Sequence, residues 1–158
     1  MIAHKKTLIF ASILLLLTLQ KYAGFMIFVF LPFFMIYVTR SLFLMLKRPE
    51  LRKYKAIHLM IWIVTLLMIC SVHWYWSLES RRDAQTVILA IEAFQLKNGI
   101  YPHTLAELGL NEQALRHQWM LVYSDQDQHP FVVYADSFMV FAHYRYHFKT
   151  HQWTHHVG

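Results

Sequence analysis

Cysteine, glycine and proline are all scarce in this chain of 158 residues. The single cysteine, Cys70, lies inside an apolar run, which excludes an intramolecular disulfide and any metal site built from several cysteines. Neither glycine nor proline occurs between residues 56 and 98. Because these two residues are the usual breakers of a helix, their absence predicts one uninterrupted helix over 56–98.

Acidic residues are almost missing from the first half of the chain. Residues 1–78 contain nine Lys or Arg side chains and one acid, Glu50, whereas residues 79–158 contain six basic and eight acidic side chains. The basic residues of the first half lie between apolar segments. We therefore interpret them as determinants of membrane topology, and we expect no nucleic-acid partner.

Long apolar segments dominate the first half. Hydrophobic residues make up 57% of the chain, above the value of about 45–50% in soluble domains. Three membrane segments are predicted, at about 7–23, 24–46 and 56–76. The first follows a basic start without a small-residue cleavage pattern, which indicates an uncleaved signal anchor. The first two either cross the bilayer or form a hairpin, and Pro32 should kink the second.

The third segment sets the predicted topology. Its 21 residues, 56–76, are long enough to cross a bilayer, and they end in the aromatic run Trp74-Tyr75-Trp76. Five basic residues precede the segment, between Lys47 and Lys55. The positive-inside rule places this loop and the N-terminus in the cytoplasm. We therefore predict a bacterial inner-membrane protein with a transmembrane region, 1–78, in the lipid bilayer and a periplasmic domain, 79–158.

Residues beyond 79 change to mixed polarity. The helical period continues to Asn98, and strand patterns follow at 119–123, 131–135, 138–148 and 152–157. The expected fold is α+β, with a four-stranded antiparallel meander packed on the upstream helix. Strict alternation in the third strand predicts an inner face of Phe138, Val140, Ala142, Tyr144, Tyr146 and Phe148 and an outer face of Met139, Phe141, His143, Arg145, His147 and Lys149.

A motif at the end of the long helix carries a resemblance to a known family. Residues 88–108 contain the runs Ala90-Ile91-Glu92-Ala93-Phe94 and Asn98-Gly99-Ile100-Tyr101-Pro102, followed by Thr104 and Leu108. This stretch resembles the end of the stalk helix in type II secretion pseudopilins and type IV pilins. The resemblance implies a pilin-like domain continuous with a membrane helix, and partners in a secretion or pilus-type assembly.

The start of the third segment departs from that family. The segment opens at Ala56 without the Gly-Phe pair and without the glutamate at the fifth position, and two apolar segments precede it. We therefore expect no cleavage by the prepilin peptidase. The chain is expected to be a non-enzymatic inner-membrane protein that displays a pilin-like periplasmic domain for protein–protein interaction.

The predicted contact surface is the outer face of the third strand. Its residues are Met139, Phe141, His143, Arg145 and His147, where adjacent apolar side chains favour a docking role. The expected partner is a periplasmic or membrane protein, and a homo-oligomer remains an alternative. A second interpretation of the chain is a membrane-anchored immunity protein that neutralises a toxin acting in the periplasm.

Three chemical alternatives have incomplete residue sets. The histidines from His143 to His156 could bind a transition metal weakly. Asp125 and Asp127 resemble a calcium loop but lack the glycine and distal glutamate of an EF-hand. Asp136, Ser137 and His143 are the residue types of a hydrolase triad, without a nucleophile elbow. We therefore predict no catalytic, metal or cofactor-binding residue and no cofactor.

Overall fold

The computed structural model describes residues 2–125, 130–139 and 141–157, with side chains from Lys5 onward. The chain forms two compact units, Met1–Trp74 and Tyr75–Gly158. The elements of the described residues are the helices α1 (Ile2–Thr18), α2 (Met26–Lys47), α3 (Arg52–Asn98) and α4 (Glu112–Trp119), and the strands β1 (Val122–Ser124), β2 (Phe131–Ala135), β3 (Ala142–His147) and β4 (Gln152–Val157). Short 3-10 helices cover Pro49–Leu51 and Leu105–Leu108.

The helix of the first apolar segment begins and ends five residues earlier than the predicted segment, 7–23. Helix α1 ends at Thr18, whose hydroxyl donates to the carbonyl of Leu14 over 2.7 Å. The chain then turns, with Tyr22 in the left-handed region at φ 68°, and helical structure resumes at Met26. The 17 residues of α1 span about 25 Å, short of a hydrocarbon core of about 30 Å.

Among the described residues, two helices, rather than three, are therefore long and apolar enough to cross a membrane. They are Met26–Lys47 and the helical stretch Pro49–Asn98, and this conclusion rests on length and composition alone. The prediction of three such segments was wrong, because the turn between residues 19 and 25 takes up part of the apolar sequence that the prediction assigned to helices.

Helix α2 exposes most of its apolar side chains. Phe33 is 69% exposed, Ile36 is 68% exposed and Leu46 is 76% exposed. The buried position on this helix is the small polar residue Ser41. A helix that packs in a water-soluble core has the opposite distribution, with its apolar stripe covered by other elements.

Helix α3 confirms the predicted uninterrupted helix and begins four residues earlier, at Arg52. Its end is also as predicted. The N–H of Gly99 donates to the carbonyl of Gln95 over 2.8 Å, and Gly99 has φ 77°. Glycine is favoured at this position because a Cβ atom is strained at positive φ. Pro102 follows and is buried.

The second unit has its core between α3 and the sheet. The four strands form an antiparallel meander in the order β1-β2-β3-β4, as predicted. Four residues of α3 between Ala84 and Ile91 are buried in this core, and a helix–sheet layer of this kind buries one face of each element. The core consists of Ala84, Val87, Ile88 and Ile91 from α3 with Leu105, Trp119, Leu121, Tyr123, Val132, Tyr134, Tyr146 and Phe148.

Strand β1 begins later than predicted. Trp119 is the last residue of α4 rather than the first residue of a strand, and its indole N–H donates to a carboxylate oxygen of Asp83 on α3. Met120 ends α4 in the left-handed conformation at φ 51°. The sequence pattern could not separate these alternatives, because the hydrogen bond to Asp83 joins residues far apart in the chain.

Strand β3 is shorter than the predicted 138–148. A turn precedes it, in which the Asp136 carboxylate accepts from the Phe138 N–H over 2.8 Å and the Ala142 N–H donates to the Met139 carbonyl over 2.9 Å. Met139 and Phe141 therefore lie in the connection between β2 and β3 and not on the outer face of β3. Val140, predicted on the inner face, lies outside the described residues.

The last hairpin pairs β3 with β4. Strand β4 covers Gln152–Val157, as predicted. Trp153 lies opposite Tyr146, and His155 lies opposite Tyr144. Trp153 and His155 therefore share the inner face that the alternation predicted for Tyr144 and Tyr146.

Candidate functional site

One face of the sheet points away from the core of the second unit. Side chains alternate between the two faces along a strand, and directly paired residues on neighbouring strands lie on the same face. The residues paired with His143, Arg145 and His147 therefore lie on the same face as these three. The opposite face carries Tyr146 and the core. We call this surface the open face, and its described residues are Phe131, Val133, Ala135, His143, Arg145, His147, Gln152, Thr154 and His156.

Two histidines stack at one end of the open face. The rings of His143 and His156, paired across β3 and β4, have centroids 5.3 Å apart and planes inclined by 17°. Burial lowers the pKa of His143 from its ordinary value, and the charges of His156 and Arg145 lower it further. A proton on His143 is therefore disfavoured unless a negative group approaches.

Arg145 occupies the centre of the open face. Its guanidinium carbon lies 4.7 Å from the centre of the Phe131 ring, a cation–π geometry. Its Nε atom is buried, and the described residues provide no hydrogen-bond partner for it. A guanidinium with an unused donor is suited to a carboxylate or another anion.

Thr154 connects the remaining polar side chains of this surface. Its hydroxyl oxygen lies 2.9 Å from Nε2 of His156, 3.3 Å from Nε2 of His147 and 3.3 Å from the carbonyl oxygen of Arg145. This cluster fixes the side chains of β3 and β4 relative to each other. None of the described residues of the open face is acidic, so the surface is neutral to basic.

The predicted contact residues divide into two groups. His143, Arg145 and His147 lie together on the open face, as the alternation predicted. Met139 is half-buried in the turn before β3, and Phe141 is 67% exposed in the same turn. A role in binding for any of the five stays a prediction.

Thr154 and Phe131 are two of the open-face residues that did not enter the predicted set. Thr154 could have been found from the hairpin register, because it lies opposite Arg145. Phe131 could not have been found in this way, since its contact with Arg145 depends on the pairing of β2 with β3. That pairing joins residues separated by a connection whose length the sequence pattern misjudged.

The residues of the three chemical alternatives have other partners. Asp125 lies 3.1 Å from Nδ1 of His103, and Asp127 lies outside the described residues. The Asp136 carboxylate lies 3.3 Å from Nε2 of His155, while His143 stacks on His156. In the part of the chain that the structure describes, no group of three or more His, Cys, Asp or Glu side chains could hold a metal ion.

The core side of the sheet holds a second polar cluster. Tyr146 donates to Glu92 on α3 over 3.0 Å, and Nδ1 of His151 lies 3.3 Å from the same carboxylate oxygen. Burial, with the hydrogen bond to Glu92 second, raises the pKa of Tyr146 to about 12. The phenol therefore stays protonated and acts as a structural donor that joins the sheet to α3.

A similar phenol supports the start of the connection after α3. The hydroxyl of Tyr123 donates to the carbonyl of Pro102 over 2.7 Å. Burial raises the pKa of Tyr123 well above its usual range. These contacts fix the fold of the second unit, and they leave the open face as its most distinctive polar surface.

Comparison with known proteins gives no match: no family, no curated protein and no solved structure is significantly similar to this chain. Function is therefore inferred from the chain's own sequence and geometry.

Proposed function

We propose that this chain is a non-enzymatic inner-membrane protein. Its first unit anchors it in the bilayer, and its second unit is a pilin-like domain displayed in the periplasm for protein–protein contact in a secretion or pilus-type assembly. The observation that carries the proposal is helix α3, which begins in an apolar segment and ends as the helix of the α+β unit.

The distribution of apolar side chains supports the membrane placement. Within the most apolar 18 residues of α2, 6% of the stretch is buried. Within the most apolar 18 residues of Pro49–Asn98, 22% is buried. Water would disfavour so large an exposed apolar surface, whereas the hydrocarbon of a bilayer accommodates it. The basic loop before α3 supports a cytoplasmic position for that end of the helix.

The end of α3 supports the pilin-like assignment. The stop at Gly99, the buried Pro102 and the antiparallel meander that follows agree with what the motif at residues 88–108 implies. The assignment depends on that motif and on this order of elements.

The second unit also supports a contact role. The open face combines an arginine and three histidines with an aromatic side chain. Arginine and aromatic residues are enriched where proteins bind each other. Phe141 adds an exposed apolar side chain in the neighbouring turn.

A reporter experiment tests the membrane topology. Alkaline phosphatase, which is active only outside the cytoplasm, is fused after Gly158, and a matched fusion is made in the basic loop after Pro49. The proposal expects activity from the first fusion and none from the second. Activity of the loop fusion together with an inactive C-terminal fusion would overturn it.

Site-specific crosslinking tests the contact role. A photo-crosslinking amino acid replaces Phe141, and the control position is Leu96, which is 87% exposed on α3. The proposal expects a component of a secretion or pilus-type assembly to be captured at position 141 in living cells and not at 96. Capture of a toxin would favour the immunity-protein alternative, and equal capture at both positions would contradict a specific contact.

A further inference from the structure

An apolar cleft lies within the first unit, between α1, α2 and the beginning of α3. Its volume is about 430 Å³. Aliphatic and aromatic side chains form nearly all of its wall. The rings of Phe34 and Trp62, which both belong to the wall, have centroids 6.4 Å apart.

The charged and hydroxyl groups of the cleft lie at one end. Nε2 of His73 lies 2.8 Å from the carbonyl oxygen of Thr18, so the end of α1 is level with residue 73 of α3. Thr7 lies eleven positions before Thr18 on α1, and Trp62 lies eleven positions before His73 on α3. Thr7 and Trp62 are therefore nearer than Thr18 and His73 to the basic loop that precedes α3. Lys6 and Thr7 line the cleft there.

A second lysine adds positive charge to the wall near Tyr37. Tyr37 lines the cleft, and the ammonium group of Lys55 lies 5.8 Å from the centre of its ring. Glu50, the one acid among residues 1–78, is not part of the lining. The cleft therefore joins an apolar wall to a basic end without a carboxylate of its own.

The length of the cleft matches half of a bilayer. From Lys6 to Leu17, both in the lining, α1 rises by about 16 Å at about 1.5 Å per residue. Half of a hydrocarbon core of about 30 Å is about 15 Å. A single acyl chain of one leaflet fits this length, with its headgroup at the level of Lys6.

We propose that this cleft binds one acyl chain of an acidic phospholipid, with the anionic headgroup held by Lys6 and Lys55. Basic pockets between membrane helices on the cytoplasmic side are suited to anionic headgroups. A zwitterionic lipid fills the same wall but leaves the two ammonium groups without a net counter-charge. This inference depends on the proposed membrane placement and is independent of the protein partner.

The test uses the full chain in vesicles and the fluorescence of Trp62. The vesicles are made of phosphatidylcholine. In one titration they contain increasing fractions of brominated phosphatidylglycerol, and in the other increasing fractions of brominated phosphatidylcholine. Bromine on the acyl chains quenches tryptophan fluorescence at contact. The Trp62 signal is the difference between the native protein and Trp62→Phe. Half-maximal quenching is expected at an acidic-lipid fraction about thirtyfold lower, since each of the two lysines contributes about fivefold near an acidic headgroup.

Two pairs of variants localise the effect. Lys6→Gln should remove most of the preference for the acidic lipid, whereas Lys5→Gln, one position away and outside the lining, should retain it. Ile13→Phe fills the cleft and should weaken quenching by both lipids. Leu8→Phe is its control, since Leu8 is 50% exposed and Ile13 48% exposed, and only Ile13 lines the cleft.

The outcomes separate this inference from the membrane placement. Equal quenching by the two lipids, or an equal loss in Lys5→Gln and Lys6→Gln, would overturn the acidic-lipid site while the chain remains in the vesicles. Release of the chain from membranes by alkaline carbonate would instead contradict the anchor itself, and the lipid site with it.

Discussion

The two units use the same kinds of apolar residues in opposite ways, and helix α3 shows this within one element. Met60 and Leu67, in its first half, are 66% and 61% exposed, whereas Ile88 and Ile91, near its end, are 1% and 0% exposed. Residue type therefore does not determine burial here. The exposure of the first half of the helix agrees with the proposed membrane placement, whereas the second half packs in a protein core.

Several polar side chains of the first unit bond within their own helix, although His73 contacts Thr18 on α1. In the first unit, Thr65 donates to the carbonyl of Ile61 over 2.8 Å, and Nδ1 of His58 lies 2.8 Å from the carbonyl oxygen of Tyr54, both on their own helix. In the second unit, Tyr146 and Trp119 hydrogen-bond to other elements. Local satisfaction of polar groups is what a helix needs where no water is present.

The largest expected effect comes from replacing one aromatic residue in each unit, which tests whether burial differs between the units. Phe148→Ala removes a ring that is 1% exposed and should lower the free energy of unfolding of the second unit by about 3–5 kcal/mol. Phe33→Ala removes a ring that is 69% exposed and should change it little. Urea denaturation of the full chain in mild detergent, followed by near-UV circular dichroism, measures both. A similar loss in the two variants would contradict the comparison.

The end of α3 gives the next largest effect. Gly99 has φ 77°, and a Cβ atom there would meet nothing within 4 Å, so backbone strain alone opposes a larger residue. Gly99→Ala should cost about 1–2 kcal/mol of unfolding free energy. Gly99→Asn should cost less, because asparagine tolerates the left-handed conformation. Equal costs in the same urea titration would show that another interaction is involved.

The hydrogen bond between the sheet and α3 should have a smaller effect. Tyr146→Phe removes the donor to Glu92 and should lower the free energy of unfolding by about 0.5–1.5 kcal/mol. Tyr75→Phe is the control, because Tyr75 is 58% exposed. If the two variants are equally stable in urea, the polar contact contributes nothing to the second unit.

The smallest effect concerns pH. Burial, with the charges of His156 and Arg145, lowers the folded-state pKa of His143 below its unfolded value. The unfolded chain therefore binds the proton more strongly, and the His143 contribution to stability falls as the pH drops below about 6.5. His143→Gln should lose less stability than the native protein between pH 7.5 and pH 5. An unchanged slope of stability against pH would contradict this assignment.

Several parts of the fold could be predicted from local sequence signals. The absence of breakers predicted α3, and Asn98-Gly99 predicted its end, because both depend on backbone preferences of neighbouring residues. Strand patterns predicted β2 and β4. The bounds of α1 and the start of β3 were not predicted correctly, since apolar residues adjoin the turn at 19–25 and make up the sequence 138–141, which the pattern assigned to a strand.

The candidate site was predictable in part. His143, Arg145 and His147 follow from the period of two along one strand. The contact of Arg145 with Phe131 needs the neighbouring strand, and the stack of His143 on His156 needs the hairpin register as well. A pattern along one strand cannot supply the order of strands or their relative shift.

Local preference and periodicity in the sequence were enough to predict the uninterrupted helix and the meander. Tertiary structure alone decided which apolar side chains are covered, that Trp119 closes α4 on Asp83, and that an apolar cleft has a basic end. These features require contacts between residues far apart in the chain, and no local signal encodes such contacts.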